Sequence, residues 1–234
     1  MTVPHEAPGA FGAFGAFGAS AASAGGDEPR GDVLGAPGAL LLIISGPSGV
    51  GKDTIIDTLK ERHPRPLYHF VVTCTTRLPR AGEVDGVNYH FLTREHFTGL
   101  RDAGELLEAN EVHDNWYGTP RAEVREWLGR GRDVVLKIDV QGAQVVKENV
   151  PEALLIFVVP PSLETLFHRL RSRATESAQQ LELRQRNAAI ELARQGDYDY
   201  VVVNETDQVE RTAQRIDEII AVEHAARAER RVRV

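Results

Sequence analysis

The chain has 234 residues, 42% of them hydrophobic and 26% charged, and its formal net charge is −7. That length holds one domain of ordinary size with room for a small inserted lobe, and the acidic balance argues against non-specific nucleic-acid binding. Cys74 is the only cysteine, which excludes an intrachain disulfide or a cysteine-based metal site and suits a reducing cytoplasm, and no apolar run approaches the ~20 residues of a membrane-spanning helix.

Residues 1–38 include "GAFGAFGAFGASAASAGG", a Gly/Ala/Ser-rich stretch without helical or strand periodicity, and read as a disordered tail. They lack the basic start of a secretory signal. The segment 39–45, "ALLLIIS", is a short continuous apolar run, as for a strand buried on both faces. "KDTIIDTLKERH" then sets Ile55, Ile56 and Leu59 on one side of a helix. From about 71 to 118 the chain is rich in Thr, Arg, Gly and Tyr, with a strand-like piece at 87–93, and reads as an inserted lobe. Thr119-Pro120 predicts an N-cap followed by proline in the first helical position. Buried strands are expected again at 133–139, 153–159 and 199–204. Between the last two, Ser162 opens a helix with an apolar stripe of Leu163, Leu166, Phe167 and Leu170. Alternation of this kind gives an α/β fold, a parallel sheet covered by helices. The domain is expected over 39–223. The end, 224–234, carries four arginines against one glutamate in "ARAERRVRV" and reads as a basic tail, a solvated helix end with a frayed tip.

Chemistry concentrates first in "GPSGVGKDT", Gly46, Pro47, Ser48, Gly49, Val50, Gly51, Lys52, Asp53 and Thr54. Glycines between a buried strand and a helix let successive N–H groups turn inward around a phosphate, and the helix dipole points at the same anion. Lys52 adds a mobile charge for the terminal phosphates. The pattern asks for a hydroxyl after that lysine as a magnesium ligand, and this chain has Asp53. A carboxylate also suits magnesium, yet it places negative charge beside a nucleoside triphosphate. The second concentration is "TCTTRLPRAGEVDGVNYHF" (73–91), where Arg77 and Arg80 supply guanidinium forks suited to a dianionic phosphate. Tyr89 and Tyr117 add phenolic groups, and Glu108 lies nine residues before Tyr117.

Together "GPSGVGK", "TTRLPRAGEVDGVNYHF", "WYGT", "DVQG" and "RSRATES" resemble the guanylate kinase family in order and spacing, from about Leu40 to Ala221. The resemblance implies a P-loop NTPase core, a GMP-binding lobe at about 71–118 and a short lid at about 169–188. It implies transfer of the γ-phosphoryl group of ATP, with Mg2+, to GMP, with dGMP a candidate further acceptor. Lys52, Arg77, Arg169, Arg173 and Arg184 match the catalytic cations, and Asn204 a residue near the adenine. Thr73, Arg77, Arg80, Glu83, Tyr89, Glu108, Tyr117, Thr119 and Asp139 match the GMP site, with Glu83 bracing the arginine loop and Glu108 and Thr73 reading guanine. Glu108 can accept from the two neighbouring guanine donors, whereas adenine presents an acceptor there.

Two positions depart from the family. Asp53 replaces the loop hydroxyl, and Lys137 in "LKIDVQG" stands where an aspartate is usual, on the same strand face as Asp139. The departures are expected to be coupled, cation offsetting carboxylate. Ala174 replaces a common lid glycine. Two other readings follow from the same residues. Ribose 1,5-bisphosphate phosphokinases resemble the "GKD" loop, but have no guanine to read. A non-catalytic guanylate-kinase-like binding module would dispense with the loop lysine and glycines that are kept here.

Overall fold

The structure is a computed structural model that describes residues 34–63, 67–112, 114–172 and 178–234, with Ser172 and residues 178–181 described as backbone only. Arg173, expected as a catalytic cation, and Ala174, expected in the lid, lie outside the described residues.

Strand β1 (Leu41–Ser45) runs through the glycine loop into α1 (Lys52–Arg62), and β2 (Tyr68–Phe70) follows. Then come β3 (Cys74–Thr75), β4 (His90–Phe91), α2 (Arg94–Asp102), β5 (Leu106–Val112) and β6 (Asn115–Pro120). The chain returns through α3 (Arg121–Gly129), β7 (Asp133–Lys137), α4 (Val140–Asn149) and β8 (Leu154–Val159). It ends with α5 (Leu163–Ser172), α6 (Ala178–Ala193), a 3-10 turn at Arg194–Asp197, β9 (Tyr200–Val203) and α7 (Val209–Arg227). Among the described residues no helix is long and apolar enough to cross a membrane.

Five strands form a parallel sheet in the order β2-β7-β1-β8-β9. The central strand β1 is buried along its whole length, which is why its sequence is continuously apolar rather than alternating. Its side chains still divide by face. Leu40, Leu42 and Ile44 join Ile55 and Leu59 of α1, Leu166 and Leu170 of α5, and Ile216 and Ile220 of α7. Leu41 and Ile43 join Val124 and Leu128 of α3 and Ala143 and Val146 of α4. Ile44 pairs with Lys137, so the end of β7 emerges beside the glycine loop.

The inserted lobe is a smaller mixed sheet, β4-β3-β6-β5, with a bulge in β5 between Leu106 and Ala109. Helix α2 lies between its strands, N-capped by Thr93, whose hydroxyl accepts from the His96 N–H at 3.2 Å.

Several expectations are corrected. The buried strand expected at 199–204 is β9 at the sheet edge, where Val202 alone is buried. The strand expected at 87–93 shortens to His90–Phe91. The cap of α3 is Pro120 rather than Thr119, because the Thr119 hydroxyl is committed to Glu108 at 2.8 Å. In the α5 stripe Leu166 and Leu170 are buried, but Leu163, in the first turn, is half exposed. The C-terminus is not a frayed tip. In "RVRV" the valines alternate inward, so Val232 and Val234 enter the core beside Leu128 while Arg231 and Arg233 face outward. The Val232 carbonyl accepts from the Gly35 N–H at 2.8 Å, and Arg125 Nε donates to the Val234 carbonyl at 2.9 Å. Residues 34–38, expected to be tail, therefore pack on the domain.

Candidate active site

The loop from Gly46 to Lys52 is shaped by backbone that only glycine adopts easily. Gly46 has φ of 144° and Gly51 of 102°. A Cβ on Gly46 would collide with the Val158 carbonyl oxygen, and one on Gly51 would lie 2.5 Å from Asn204 Nδ2. Asn204 is buried under the loop, where its Nδ2 donates to the Val50 carbonyl at 2.8 Å and its Oδ1 accepts from Thr212 Oγ1 at 3.2 Å. Sequence reasoning set Asn204 near a nucleobase; the structure gives it the work of holding the loop. Arg169, from α5, donates to the same Val50 carbonyl at 3.3 Å.

Helix α6 also reaches the loop. Arg184 donates to Ser48 Oγ at 3.2 Å, and Glu191, two turns on, accepts from the Ser48 N–H at 3.2 Å. Glu191 was not among the expected site residues; its one sequence signal is the seven-residue spacing from Arg184. Lys52 curls back over the loop, and its Nζ donates to the Gly46 and Pro47 carbonyls at 2.6 and 3.2 Å. Burial lowers the Lys52 pKa, opposed by Glu191, Asp53 and Asp139.

Asp53 and Lys137, the two departures, meet. Lys137 Nζ donates to Asp53 Oδ1 at 2.5 Å. The same ammonium lies 5.2 Å from the centre of the Tyr89 ring. Thr54, one residue on, is exposed, and its carbonyl accepts from the Thr58 hydroxyl at 2.9 Å.

From Tyr89 the site continues into the lobe. The Arg77 guanidinium lies 4.9 Å from the Tyr89 ring centre and forms a bidentate pair with Glu83, both bonds at 2.6 Å. Glu83 also accepts from the Arg80 N–H at 2.7 Å, so one carboxylate fixes both ends of the arginine loop. The bond from Arg77 holds the Glu83 carboxyl below its ordinary value. The Arg80 side chain is exposed, and the Tyr89 and Tyr117 rings meet edge to face at 6.1 Å.

Glu108 lies on β5, 5% exposed. Its Oε1 accepts from Thr119 Oγ1 at 2.8 Å and its Oε2 from Asn110 Nδ2 at 2.6 Å. Asn110, a second residue absent from the sequence reading, is two positions away on the same strand face. A Cβ on Gly142 would lie 3.1 Å from Glu108 Oε2, so the start of α4 also presses against this carboxylate. Burial pushes the Glu108 pKa up to about 7, against the pull of the Thr119 bond. Thr73 is buried just before β3. Asp139 caps α4, its Oδ1 accepting from the Gln141 and Gly142 N–H groups at 2.7 and 2.9 Å.

The donor set suits a magnesium ion carried mainly by substrate. Among the described residues no group of three or more His, Cys, Asp or Glu could hold a metal alone. Magnesium on a nucleotide needs one or two carboxylates and takes its other ligands from phosphate and water. Asp53, exposed at the first turn of α1, meets that need.

A sequence profile described as guanylate kinase matches residues 39–223. A guanylate kinase of Clostridioides difficile (strain 630) is 47% identical over 185 residues, 79% of this chain and 88% of that protein. One from Synechococcus sp. (strain JA-3-3Ab) is 44% identical over 180 residues, 77% of this chain and 81% of that protein. The crystal structure of guanylate kinase from Anaplasma phagocytophilum superposes with a TM-score of 0.67 at 34% identity, covering 82% of this chain and 88% of that one.

Proposed function

This chain belongs to the guanylate kinase family, a nucleoside monophosphate kinase, and we propose that the site described above carries its reaction, moving the γ-phosphoryl group of ATP to GMP and releasing ADP and GDP. The observation that carries the assignment of roles is Glu108. It is a buried carboxylate oriented by two hydrogen bonds, in the lobe that also carries the arginine–tyrosine group. Guanine presents N1–H and a 2-amino group side by side, and one carboxylate accepts from both. Adenine presents a lone pair at N1 and would leave the carboxylate facing an acceptor.

Phosphoryl transfer asks the protein for alignment, charge neutralisation and exclusion of water rather than covalent chemistry. Backbone N–H groups of the glycine loop and the start of α1 hold the ATP phosphates, with Lys52 on the terminal ones. Arg77, Arg80, Tyr89 and Tyr117 hold the GMP phosphate. The paired Arg77 is pre-oriented by Glu83, which lowers the ordering cost at binding. Arg169 and Arg184 neutralise charge on the loop side. Asp53 is the residue that would hold a magnesium ion carried with ATP, and the ion would supply positive charge against the phosphates. dGMP offers the same base and phosphate and is a second acceptor in this reading. The lone cysteine and the substrates fit a cytoplasmic enzyme.

Calorimetry with GMP, IMP and AMP tests the Glu108 assignment. IMP lacks the 2-amino group, so the order expected is GMP, then IMP, then AMP, with AMP weaker by roughly 10⁴-fold. Glu108→Gln should compress that series. AMP binding as tightly as GMP would overturn the assignment.

A further inference from the structure

We propose that Lys137 is a further phosphate-binding residue of this enzyme, a cation held by Asp53 at the junction of the donor and acceptor sites that engages phosphate oxygens of both nucleotides. The proposal rests on the phosphoryl-transfer reading and adds a residue to it.

Three placements support it. The register of β7 on β1 puts Lys137 opposite Ile44, two residues before the loop begins at Gly46. Its ammonium touches the donor side through Asp53, in the first turn of α1 directly after Lys52. It touches the acceptor side through the Tyr89 ring at 5.2 Å, the ring that also carries Arg77 at 4.9 Å. A continuous chain of contacts thus runs Asp53, Lys137, Tyr89, Arg77, Glu83, from the ATP loop to the GMP lobe.

Charge explains why a lysine suits that place. In-line transfer brings the γ-phosphate of one nucleotide against the phosphate of the other, with several negative charges converging. A cation between them is worth most there, because it faces both. Lysine is a compact charge on a four-carbon stem, able to leave a carboxylate for a phosphate by a rotamer change. Lys137 is three-quarters buried and Asp53 mostly exposed, so the ammonium is positioned while its partner can turn away. Before substrates arrive the pair is neutral, which avoids an uncompensated carboxylate on the phosphate path. When Lys137 moves to phosphate, Asp53 is left as a hard-oxygen donor for the cation that accompanies ATP. The two departures from the family pattern are then one device, and each residue alone would harm the site.

The test uses the full chain, with Lys137→Met, which keeps an aliphatic stem beside Tyr89, and Asp53→Ser, Lys137→Asp and their double variant. Calorimetry without divalent cations measures ADP, GMP and a bisubstrate probe in which five phosphates join adenosine to guanosine. Lys137→Met is expected to weaken each mononucleotide by no more than about 5-fold and the bisubstrate probe by about 100-fold or more, beyond the product of the two. A loss on the probe equal to or below that product would overturn the bridging role. In turnover, Lys137→Asp alone is expected to lower kcat by about 10³-fold, and adding Asp53→Ser to recover all but about tenfold of it. Multiplicative losses would overturn the hold of Asp53 on Lys137. Thermal melting checks that each variant folds. A wild-type chain that neither binds the probe nor phosphorylates GMP would remove the transfer reading itself, an outcome distinct from both.

Discussion

Lowering the pH from 8 to 6 is expected to weaken GMP binding about tenfold through Glu108 alone. Burial raises this carboxyl to about 7 in the free protein. At pH 8 it is then about nine-tenths ionised and at pH 6 about one-tenth, one decade in the competent form. The protonated acid keeps one acceptor oxygen but turns an O–H toward a base edge that itself donates, so its contribution to GMP affinity is small. The GMP phosphate also takes up a proton near pH 6. Glu108→Gln supplies the correction, because it shares the phosphate titration and lacks the carboxyl. The assay is calorimetry across this range in two buffers of different ionisation heat. Wild type should release a proton on binding GMP near pH 7, and its affinity should fall with acid about tenfold more than that of Glu108→Gln. The linkage to stability has a fixed sign. A carboxyl raised from 4.5 to about 7 stabilises the free fold at acid pH, and that contribution is lost as pH rises through about 7. Identical pH slopes for the two proteins, or no proton release, would refute the reasoning.

Thr119→Val removes the donor on Glu108 Oε1, so the pH profile of GMP affinity should move to higher pH, which the same titration reads; an unmoved profile would contradict the contact. Gly51→Ala forces a Cβ into a φ of 102° and to 2.5 Å from Asn204 Nδ2, at a cost of about 1–3 kcal/mol. Urea denaturation should show that loss together with weaker ATP binding, and a variant of wild-type stability would count against the loop geometry. Val232→Ala and Val234→Ala each remove buried methyl groups and should cost roughly 1–2 kcal/mol by denaturation while leaving kcat/KM unchanged. Full stability in both would return the C-terminus to the frayed tip.

What was legible in the sequence was what burial or glycine chemistry forces. Strands β1, β7 and β8 announced themselves because they are buried on both faces along almost their whole length, leaving apolar runs, whereas the apolar run of β9 sits on an edge strand with Val202 alone buried. The loop was legible because its glycines, lysine and flanking elements have one joint use. Helix α2 was not, since Phe97 is the only buried side chain of its nine residues and one residue makes no stripe. The packed end "RVRV" was read by its charge, although its alternation is that of an edge strand with one face inward. Thr119 looked like a cap because local sequence cannot show that a carboxylate eleven residues earlier takes its hydroxyl. Asn110 and Glu191 belong to no motif, and only folding brings them to Glu108 and Ser48. The Asp53–Lys137 contact spans 84 residues of sequence, and was foreseeable only because both positions broke a pattern and their charges cancel.

The central claim, transfer of a phosphoryl group from ATP to GMP, is tested most directly by a coupled ADP-release assay on the purified chain with ATP and Mg2+. GMP, AMP and ribose 1,5-bisphosphate are offered as acceptors in parallel. The account predicts rapid turnover on GMP, with AMP and the sugar bisphosphate near background. Turnover on the sugar bisphosphate, or silence on all three with GMP still bound, would contradict it.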